Sequence, residues 1–460
     1  MSSPIYLTDD IRRIEREARD TVPPLMERAG IAAAELATRL AGDKHKDILV
    51  LAGPGNNGGD ARIAAARLQE QFHRVTVVTR SDELREASWS LVVDGLFGIG
   101  LARDIDGDYA QLVDYANRQR CPVLALDMPS GLHSDSGRVM GRAIRASHTI
   151  TFIGLKPGLL TLDGPDHSGE ISVADLGLPA QKANAWVASR ELFASILKRR
   201  PRNFHKGMAG SVAILGGASG MAGASLLAGR AALKLGAGRV YVGMLDPTSQ
   251  VDATAPELML RHADDALGLD LEAIVVGPGL GDSERADTVV GAVLASELPC
   301  VLDADALNLI SENADLRRAC ARRRGETIVT PHPAEAGRLL GTTTAAVQHD
   351  RVKAARVLAD NLNAHVVLKG NGSILVARDG HWFVNRSGNP GMASAGMGDV
   401  LAGMLGGLLA QGYSGEAALV LATHLHGAAA DALAATGVGP IGMTASEVID
   451  AARRLWNQWL

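Results

Sequence analysis

Residues 389–403 read NPGMASAGMGDVLAG, from Asn389 to Gly403. The stretch opens on a turn pair, Asn389-Pro390, and passes through small residues to Gly396-Met397-Gly398-Asp399. An apolar run at 400–409 follows and is expected to be helical. Flexible backbone therefore meets a helix N-terminus, where free N–H groups and the helix dipole favour an anion. Glycine suits the position because a side chain would hold the backbone off a phosphate or force a disfavoured φ. The Asp399 carboxylate would repel that phosphate, so it suits a base or a contact to the attacking or leaving group. Capping its own helix is the competing role.

Upstream, from His205-Lys206-Gly207, the chain reads as a strand at 211–215, a glycine turn from Gly216 to Gly220, a small-residue helix at 222–236 and a strand at 240–243. Strands at 273–276, 299–302, 326–329 and 365–368 come next. They end in Gly277-Pro-Gly-Leu-Gly281, Asp303-Ala-Asp305-Ala-Leu-Asn308, Thr330-Pro-His332-Pro-Ala-Glu335 and Lys369-Gly-Asn-Gly-Ser373. Such alternation predicts a parallel sheet whose loops converge at one edge. The Lys369–Ser373 turn and the Gly396–Asp399 helix start can hold phosphates through backbone N–H groups and a positive side chain. There is no GxxxxGK[ST], so the turn is not a P-loop. Asp303 and Asp305 suit a metal or a ribose, and equally loop capping. His332 and Glu335 lack a third metal ligand, and His424 and His426 read as helix surface or core.

The first half is a second α/β pattern. Amphipathic helices are expected at 7–20, with Leu7, Ile11, Ile14 and Ala18 on one face, and at 24–40. A strand at 47–51 feeds the loop Gly53-Pro-Gly-Asn-Asn-Gly-Gly-Asp60, then a helix at 61–71 and a strand at 74–79. The loop contains GxGxxG, but Arg80 stands where a dinucleotide fingerprint wants an acid. Asn56, Asn57 and Asp60 instead offer oxygen ligands and hydrogen bonds to a polar substrate or a hard cation. Strands at 91–94 and 122–126 end in Asp94 and in Asp127-Met-Pro-Ser130-Gly131. C-terminal strand ends of a parallel sheet share one crevice, so Asn57, Asp60, Asp94, Asp127 and Ser130 are expected in a common site rather than as separate caps.

At 460 residues, with 47% hydrophobic and 21% charged residues and 52 glycines, the chain is expected to form two or three domains of an α/β enzyme. A net charge of −5 and 3% aromatic content argue against nucleic-acid binding. The basic spots Lys198-Arg199-Arg200 and Arg322-Arg323-Arg324 are short and read as solvated surface. Residues 198–203, which include Pro201, read as a linker. Cys121, Cys300 and Cys320 have no CxxC spacing and suit a reducing cytoplasm. No signal peptide and no apolar run of membrane-spanning length is expected.

GxGNNGGD, DxLFGxG and DxPSG, in this order, resemble the NAD(P)H-hydrate epimerase domain, and LMERAG and Gly154-Leu-Lys156-Pro-Gly158 resemble its flanking elements. The likeness covers about residues 5–180. It implies a Rossmann-like three-layer sandwich that binds a hydrated nicotinamide nucleotide and potassium. Potassium would meet Asn57, Asp94 and Ser130. Substrate would meet Asn56, Asn57, Gly58, Gly59 and Asp60, then Gly98, Ile99, Gly100, Leu101, Ala102, Arg103 and Asp104, and Asp127. Ala61 and Ile99 depart from the family's usual Gly and Thr. Interchange of a carbinolamine stereocentre needs an acid/base group. Asp127 is the candidate; Lys156 is a weaker one, with an ordinary surface lysine as the alternative.

HKGxxG, GGxxGMxGA, GPGLG, LDADALN, TPHPxE, LKG and NPGMAxxGxGDVLAG, over about 205–455, resemble the ADP/ATP-dependent NAD(P)H-hydrate dehydratases of ribokinase-like fold. In that family the ring hydroxyl is phosphorylated and phosphate is then eliminated. By this likeness Asp399 is the catalytic base. Ala224, Gly279, His332 and Asp399 would contact the hydrate, and Lys369, Gly370, Asn371, Gly372, Ser373 and Gly398 the adenine nucleotide. Met397 and Asn371 depart from a usual Thr and Ala. The sequence is thus expected to form an epimerase domain at 1–200 and a dehydratase domain at 201–460. Together they would restore NADH and NADPH hydrates with ADP, magnesium and potassium, releasing AMP, in a cytoplasmic homo-oligomer without membrane or nucleic-acid partners. A ribokinase-type kinase and a binding scaffold are the rival readings.

Overall fold

The computed structural model describes residues 3–42, 45–197, 199–247 and 250–460. Lys198, the first residue of the expected linker, lies outside them. The chain divides into two compact units, Ser3–Trp186 and Val187–Leu460.

In the first unit, strands β1 (Asp47–Ala52), β2 (Arg74–Val78), β3 (Leu91–Gly95), β4 (Val123–Leu126), β5 (His148–Phe152) and β6 (Glu170–Ala174) form one sheet in the order β2-β1-β3-β4-β5-β6. Every pairing in it is parallel. Alternate residues of a strand face opposite sides of the sheet. Ile48, Val50 and Ala52 pack with the helices Leu25–Ala41 and Asn56–Glu70, while Leu49 and Leu51 pack with the helix Gly107–Arg118. Cover on both faces explains why β1 is apolar throughout rather than alternating. The result is the expected three-layer sandwich.

The strand β7 (Ala185–Ala188) falls at the junction in the chain. Nine strands of the second unit follow: β8 (Ser211–Gly216), β9 (Arg239–Met244), β10 (Met259–His262), β11 (Ala273–Val276), β12 (Cys300–Leu302), β13 (Thr327–Val329), β14 (His365–Leu368), β15 (Ser373–Val376) and β16 (Trp382–Asn385). Their order is β10-β9-β8-β11-β12-β13-β14-β15-β16. Pairing is parallel as far as β14 and antiparallel beyond it.

The helix Met397–Ala410 is buried continuously from Val400 to Ala410. A helix apolar on all sides belongs in a core. It lies against the helix Ala222–Lys234 so closely that a Cβ on Gly403 would stand 2.0 Å from the Ala228 carbonyl oxygen. Among the described residues the helix Gly415–Ala435, 21 residues long, has the length and hydropathy to cross a membrane. The expectation that no run reaches that length is corrected. Two-thirds (67%) of this helix's 18-residue apolar window is nevertheless buried, as in a core helix.

The contact at Gly403 sets the seat of the helix that carries Asp399. A Gly403→Val substitution should overpack it at a cost of about 1–3 kcal/mol, lowering Tm by roughly 2–12 °C in a unit of this size. Thermal melts of the two proteins test this; an unchanged Tm would mean that the helices need not approach so closely.

Candidate functional site

Each unit gathers polar side chains at the C-terminal ends of its strands, beside the point where strand order reverses, and there a parallel sheet leaves a crevice. In the first unit that point lies between β1 and β3. The helix Asn56–Glu70 begins five residues earlier than periodicity predicts, so Asn56 to Asp60 form its opening turns rather than a loop. Amide and glycine residues are weak helix formers, which hid this start. Glycine is required at position 58 because a Cβ there would stand 1.9 Å from the Gly53 carbonyl oxygen.

A cavity of about 520 Å³ opens above these strand ends, lined by Arg12, Glu15, Asn56, Asn57, Asp60 and Asp127, with Gly98, Ile99, Gly100 and Leu101 along one wall. Of the expected substrate residues, Gly58, Gly59, Ala102, Arg103 and Asp104 do not line it, and the last three are exposed. Asp127 sits at φ 62°, an uncommon conformation for a residue with a side chain. Its Oδ1 accepts from Lys156 Nζ at 2.5 Å and its Oδ2 from the Ile99 N–H at 3.2 Å. Lys156 is fully buried, which removes the surface-lysine alternative.

Asp94 and Ser130 lie below the cavity, both at 0% exposure. The Ser130 hydroxyl donates to Asp94 Oδ1 at 2.6 Å, and the Ser130 and Leu96 N–H groups donate to the same carboxylate. Burial pushes Asp94 up to about 6 in spite of these bonds. Both polar atoms of the buried Asn57 side chain lack a partner among the described residues. A buried carboxylate and an unpartnered amide oxygen are donors that a hard cation satisfies. Burial, then the charges of Asp127 and Glu15, push Asp60 up to about 8. Glu15 is raised by burial and by Asp127. It lies four residues after Ile11, on the border of the apolar stripe; that spacing was the available signal.

In the second unit the switch point lies between β8 and β11. Lys369 Nζ donates to Asp303 Oδ1 at 2.9 Å, and Thr330 Oγ1 donates to the same oxygen at 2.7 Å. A Cβ on Gly398 would stand 3.3 Å from Lys369 Nζ and 3.7 Å from Asp303 Oδ2, so the start of the Asp399 helix faces this pair. Burial first, then the charge of Asp303, push Asp399 up to about 6, against the pull of Lys369. Burial lowers Lys369, but Asp303, Glu335 and Asp399 outweigh it and hold the ammonium above its usual range. Gly279 and Ala224 are adjacent, with 3.2 Å from a Cβ on Gly279 to the Ala224 Cβ.

His332 caps the helix Pro333–Leu340, its Nδ1 accepting from the Ala334 and Glu335 N–H groups, while Glu335 accepts from the His332 N–H at 2.7 Å. This is a reciprocal capping box. Burial and nearby Lys369 hold His332 below its usual pKa. Asp305 accepts from the Gly281 N–H at 2.8 Å, a loop-fixing bond. Ser373 Oγ closes the 370–373 turn by donating to the Gly370 carbonyl. Arg351, which the sequence did not single out, is buried beneath that turn and donates to the Leu368 and Lys369 carbonyls, each at 3.3 Å. His426 is a core residue, pushed down to about 4 by burial.

Comparison with known proteins bears on both sites. A family model described as NAD(P)H-hydrate dehydratase matches residues 212–454, and one described as YjeF-related protein N-terminus matches 23–90 and 84–158. The chain is similar to the bifunctional NAD(P)H-hydrate repair enzyme of Escherichia coli (38% identical, covering 98% of this chain and 94% of the relative). It is similar also to that of Coxiella burnetii (36% identical, covering 98% and 99%). An ADP/ATP-dependent NAD(P)H-hydrate dehydratase from Bacillus subtilis, co-crystallized with ATP/Mg2+, superposes with a TM-score of 0.53 at 30% identity, over 60% of this chain and 98% of that one.

The raised acid at Asp399 has a measurable sign. Between its ordinary 3.8 and its folded value of about 6 the folded chain binds more protons than the unfolded one, so this group's contribution to stability declines as pH climbs through that window. Asp399→Asn should therefore gain Tm relative to the parent as pH rises from 4 to 7, by a few degrees. A gap that does not vary with pH would show that the carboxyl is not held in this environment.

Proposed function

The chain belongs to the family of bifunctional NAD(P)H-hydrate repair enzymes, and we propose how its two sites share that work. It carries an NAD(P)H-hydrate epimerase and an ADP/ATP-dependent NAD(P)H-hydrate dehydratase. We assign the epimerase to residues 1–200 and the dehydratase to 201–460. The epimerase supplies the S hydrate from the R form, and the dehydratase converts S hydrate to NAD(P)H.

The observation that carries the dehydratase assignment is Asp399 at a glycine-built helix start, facing the Lys369–Asp303 pair. An acid titrating near the working pH can take the proton of the ring hydroxyl. The hydroxyl oxygen then bonds to the terminal phosphorus of the nucleotide as the phosphoanhydride bond breaks, with AMP leaving when ADP is the donor. Loss of the neighbouring ring proton and of the phosphate ester restores the double bond. Lys369 and the N–H groups at Gly398 stabilise charge on the phosphoryl group in transfer. The 370–373 turn, with Asn371 and Ser373, holds the nucleotide, while Ala224, Gly279 and His332 hold the hydrate. Asp303 and Asp399 are the carboxylates that would face magnesium, which neutralises charge on the phosphate chain when bound.

In the epimerase, Asn57, Asp94 and Ser130 would hold potassium. The unpartnered Asn57 amide and the buried Asp94 carboxylate, which has no cationic partner among the described residues, suit such an ion. Bound there, it supplies fixed positive charge beside the substrate. Asp127 serves as the acid/base group. The free cysteines Cys121, Cys300 and Cys320 agree with work in the cytoplasm, and we propose a homo-oligomer as the working form.

Recovery of reduced-nicotinamide absorbance from mixed NADH hydrate epimers, with ADP, magnesium and potassium, tests the scheme. The parent should recover all of it and Asp127→Ala about half, the share of one epimer in an even mixture. Asp399→Ala should slow recovery by about a hundredfold or more. Accumulation of a phosphorylated alcohol without NADH would favour a ribokinase-type kinase instead.

A further inference from the structure

Building on the epimerase assignment above, we infer that Asp60 is the acid and Asp127 the base of that site, with the buried ammonium of Lys156 keeping the two roles apart. Lys156 Nζ donates to Asp127 Oδ1 at 2.5 Å, to Thr151 Oγ1 at 2.9 Å and to the Phe152 carbonyl at 2.7 Å. Three N–H bonds meet three acceptors, the full complement of an ammonium and more than a neutral amine can supply. Asp127 thus accepts at both oxygens, from Lys156 on Oδ1 and from the Ile99 N–H on Oδ2. Its second oxygen faces the cavity wall, 2.8 Å from where a Cβ on Gly98 would be. Lys156, at 0% exposure, cannot reach the substrate and is a positioning residue.

Asp60 has the opposite surroundings. It lines the same cavity from the helix Asn56–Glu70, is only 8% exposed, and receives no hydrogen bond to its carboxyl among the described residues. The charged groups about it are Asp127 at the end of β4, Glu15 and Arg12 on the helix Thr8–Glu17, and Lys156 behind Asp127. Lys156 is already bound to Asp127, and the Arg12 side chain is half exposed beside Asp9. Burial with two acid neighbours therefore leaves Asp60 carrying its proton up to about pH 8. Two carboxyls in one cavity, one bound to a buried cation and one buried with acid neighbours, form an acid–base pair.

The chemistry balances. In the hydrate, the C6 hydroxyl sits next to ring nitrogen N1. Asp60 gives its proton to the hydroxyl oxygen; the C6–O bond breaks, water leaves, and the N1 lone pair forms a C6=N1 bond. A second water gives a proton to Asp127 and adds its oxygen to the other face of C6, returning the electron pair to N1. One water leaves and one enters, nothing is oxidised or reduced, and the proton gained by Asp127 returns to Asp60 through cavity water.

The test uses the full-length protein with potassium and no nucleotide, so that the dehydratase is silent, and follows interconversion of the epimers by chromatography. The parent's kcat should fall on the alkaline side near pH 8; Asp60→Asn should lower kcat by about a hundredfold or more with little change in KM, and should abolish that fall. Asp60→Glu, which keeps a carboxyl, should restore part of the rate. Lys156→Met should lower kcat more than it changes KM, and Lys156→Arg, which keeps a cation, should restore part of the rate. In H2 18O each interconversion should bring in one labelled oxygen. A raised KM with kcat and the alkaline limb intact in Asp60→Asn would make Asp60 a substrate contact only and overturn the assignment. A parent enzyme that does not interconvert the epimers would overturn the epimerase reading itself, and the roles of Asp60 and Asp127 with it.

Discussion

Each site is built round one lysine ammonium tied to one aspartate, Lys156 to Asp127 and Lys369 to Asp303. Taking such a pair out of water costs several kcal/mol per ion before attraction repays it, so a fold stabilised by packing alone has no use for it. What the pair provides is a fixed positive charge beside further carboxyls in the same crevice. Around Lys156 stand Glu15 and Asp60; around Lys369 stand Glu335 and Asp399. All four are raised above the ordinary carboxyl range, burial being the first cause in each. A group of acids with displaced proton affinities in one crevice is a physical mark of acid–base chemistry.

The sheets explain why such groups can be buried at all. Strand ends of a parallel sheet present backbone N–H groups and loop glycines, which solvate a carboxylate when water cannot. Asp94 is held by the Ser130 and Leu96 N–H groups, and Asp305 by the N–H of Gly281. Close backbone approach is the condition for this. It is met by Gly58 against Gly53 in one unit and by Gly277, where a Cβ would stand 1.8 Å from the Asp303 carbonyl oxygen, in the other.

Strands that are covered on both faces and end in acid-bearing loops were legible in the sequence, because burial on both sides writes an unbroken apolar run. Asp127 and Asp94 could be placed from that alone, and so could Asp303 and Lys369. The helix start at Asn56 could not, since its residues are poor helix formers that tertiary contacts hold in place. β15 and β16, no shorter than β11 and β14, are not legible because they follow the 369–372 turn as antiparallel strands, outside the strand–loop–helix alternation that marks the others. Lys156 was ambiguous for a different reason. A lysine's sequence neighbours do not reveal its burial, which here depends on Thr151, Phe152 and Asp127 converging from two strand ends. Arg351 escaped notice on the same ground, since the carbonyls it serves lie 17 and 18 residues away.

The two sites place their lysines differently, and the difference matches the chemistry each must do. In the first, Lys156 binds the proposed base itself, and a separate carboxyl, Asp60, lies in the same cavity to hold the proton. In the second, Lys369 binds Asp303 and only leans on Asp399, leaving that acid near 6. A base of that affinity is ionised at neutral pH, yet close enough to it to take up a proton. A polyphosphate set against Lys369 would add negative charge beside Asp399, and a like charge raises the proton affinity of a carboxylate. Arrival of the nucleotide would therefore strengthen the base at the moment the hydroxyl must lose its proton, while Lys369 turns its charge toward the phosphoryl group. Had the lysine been paired with Asp399 instead, the same arrival would have found an acid too weakly basic to respond.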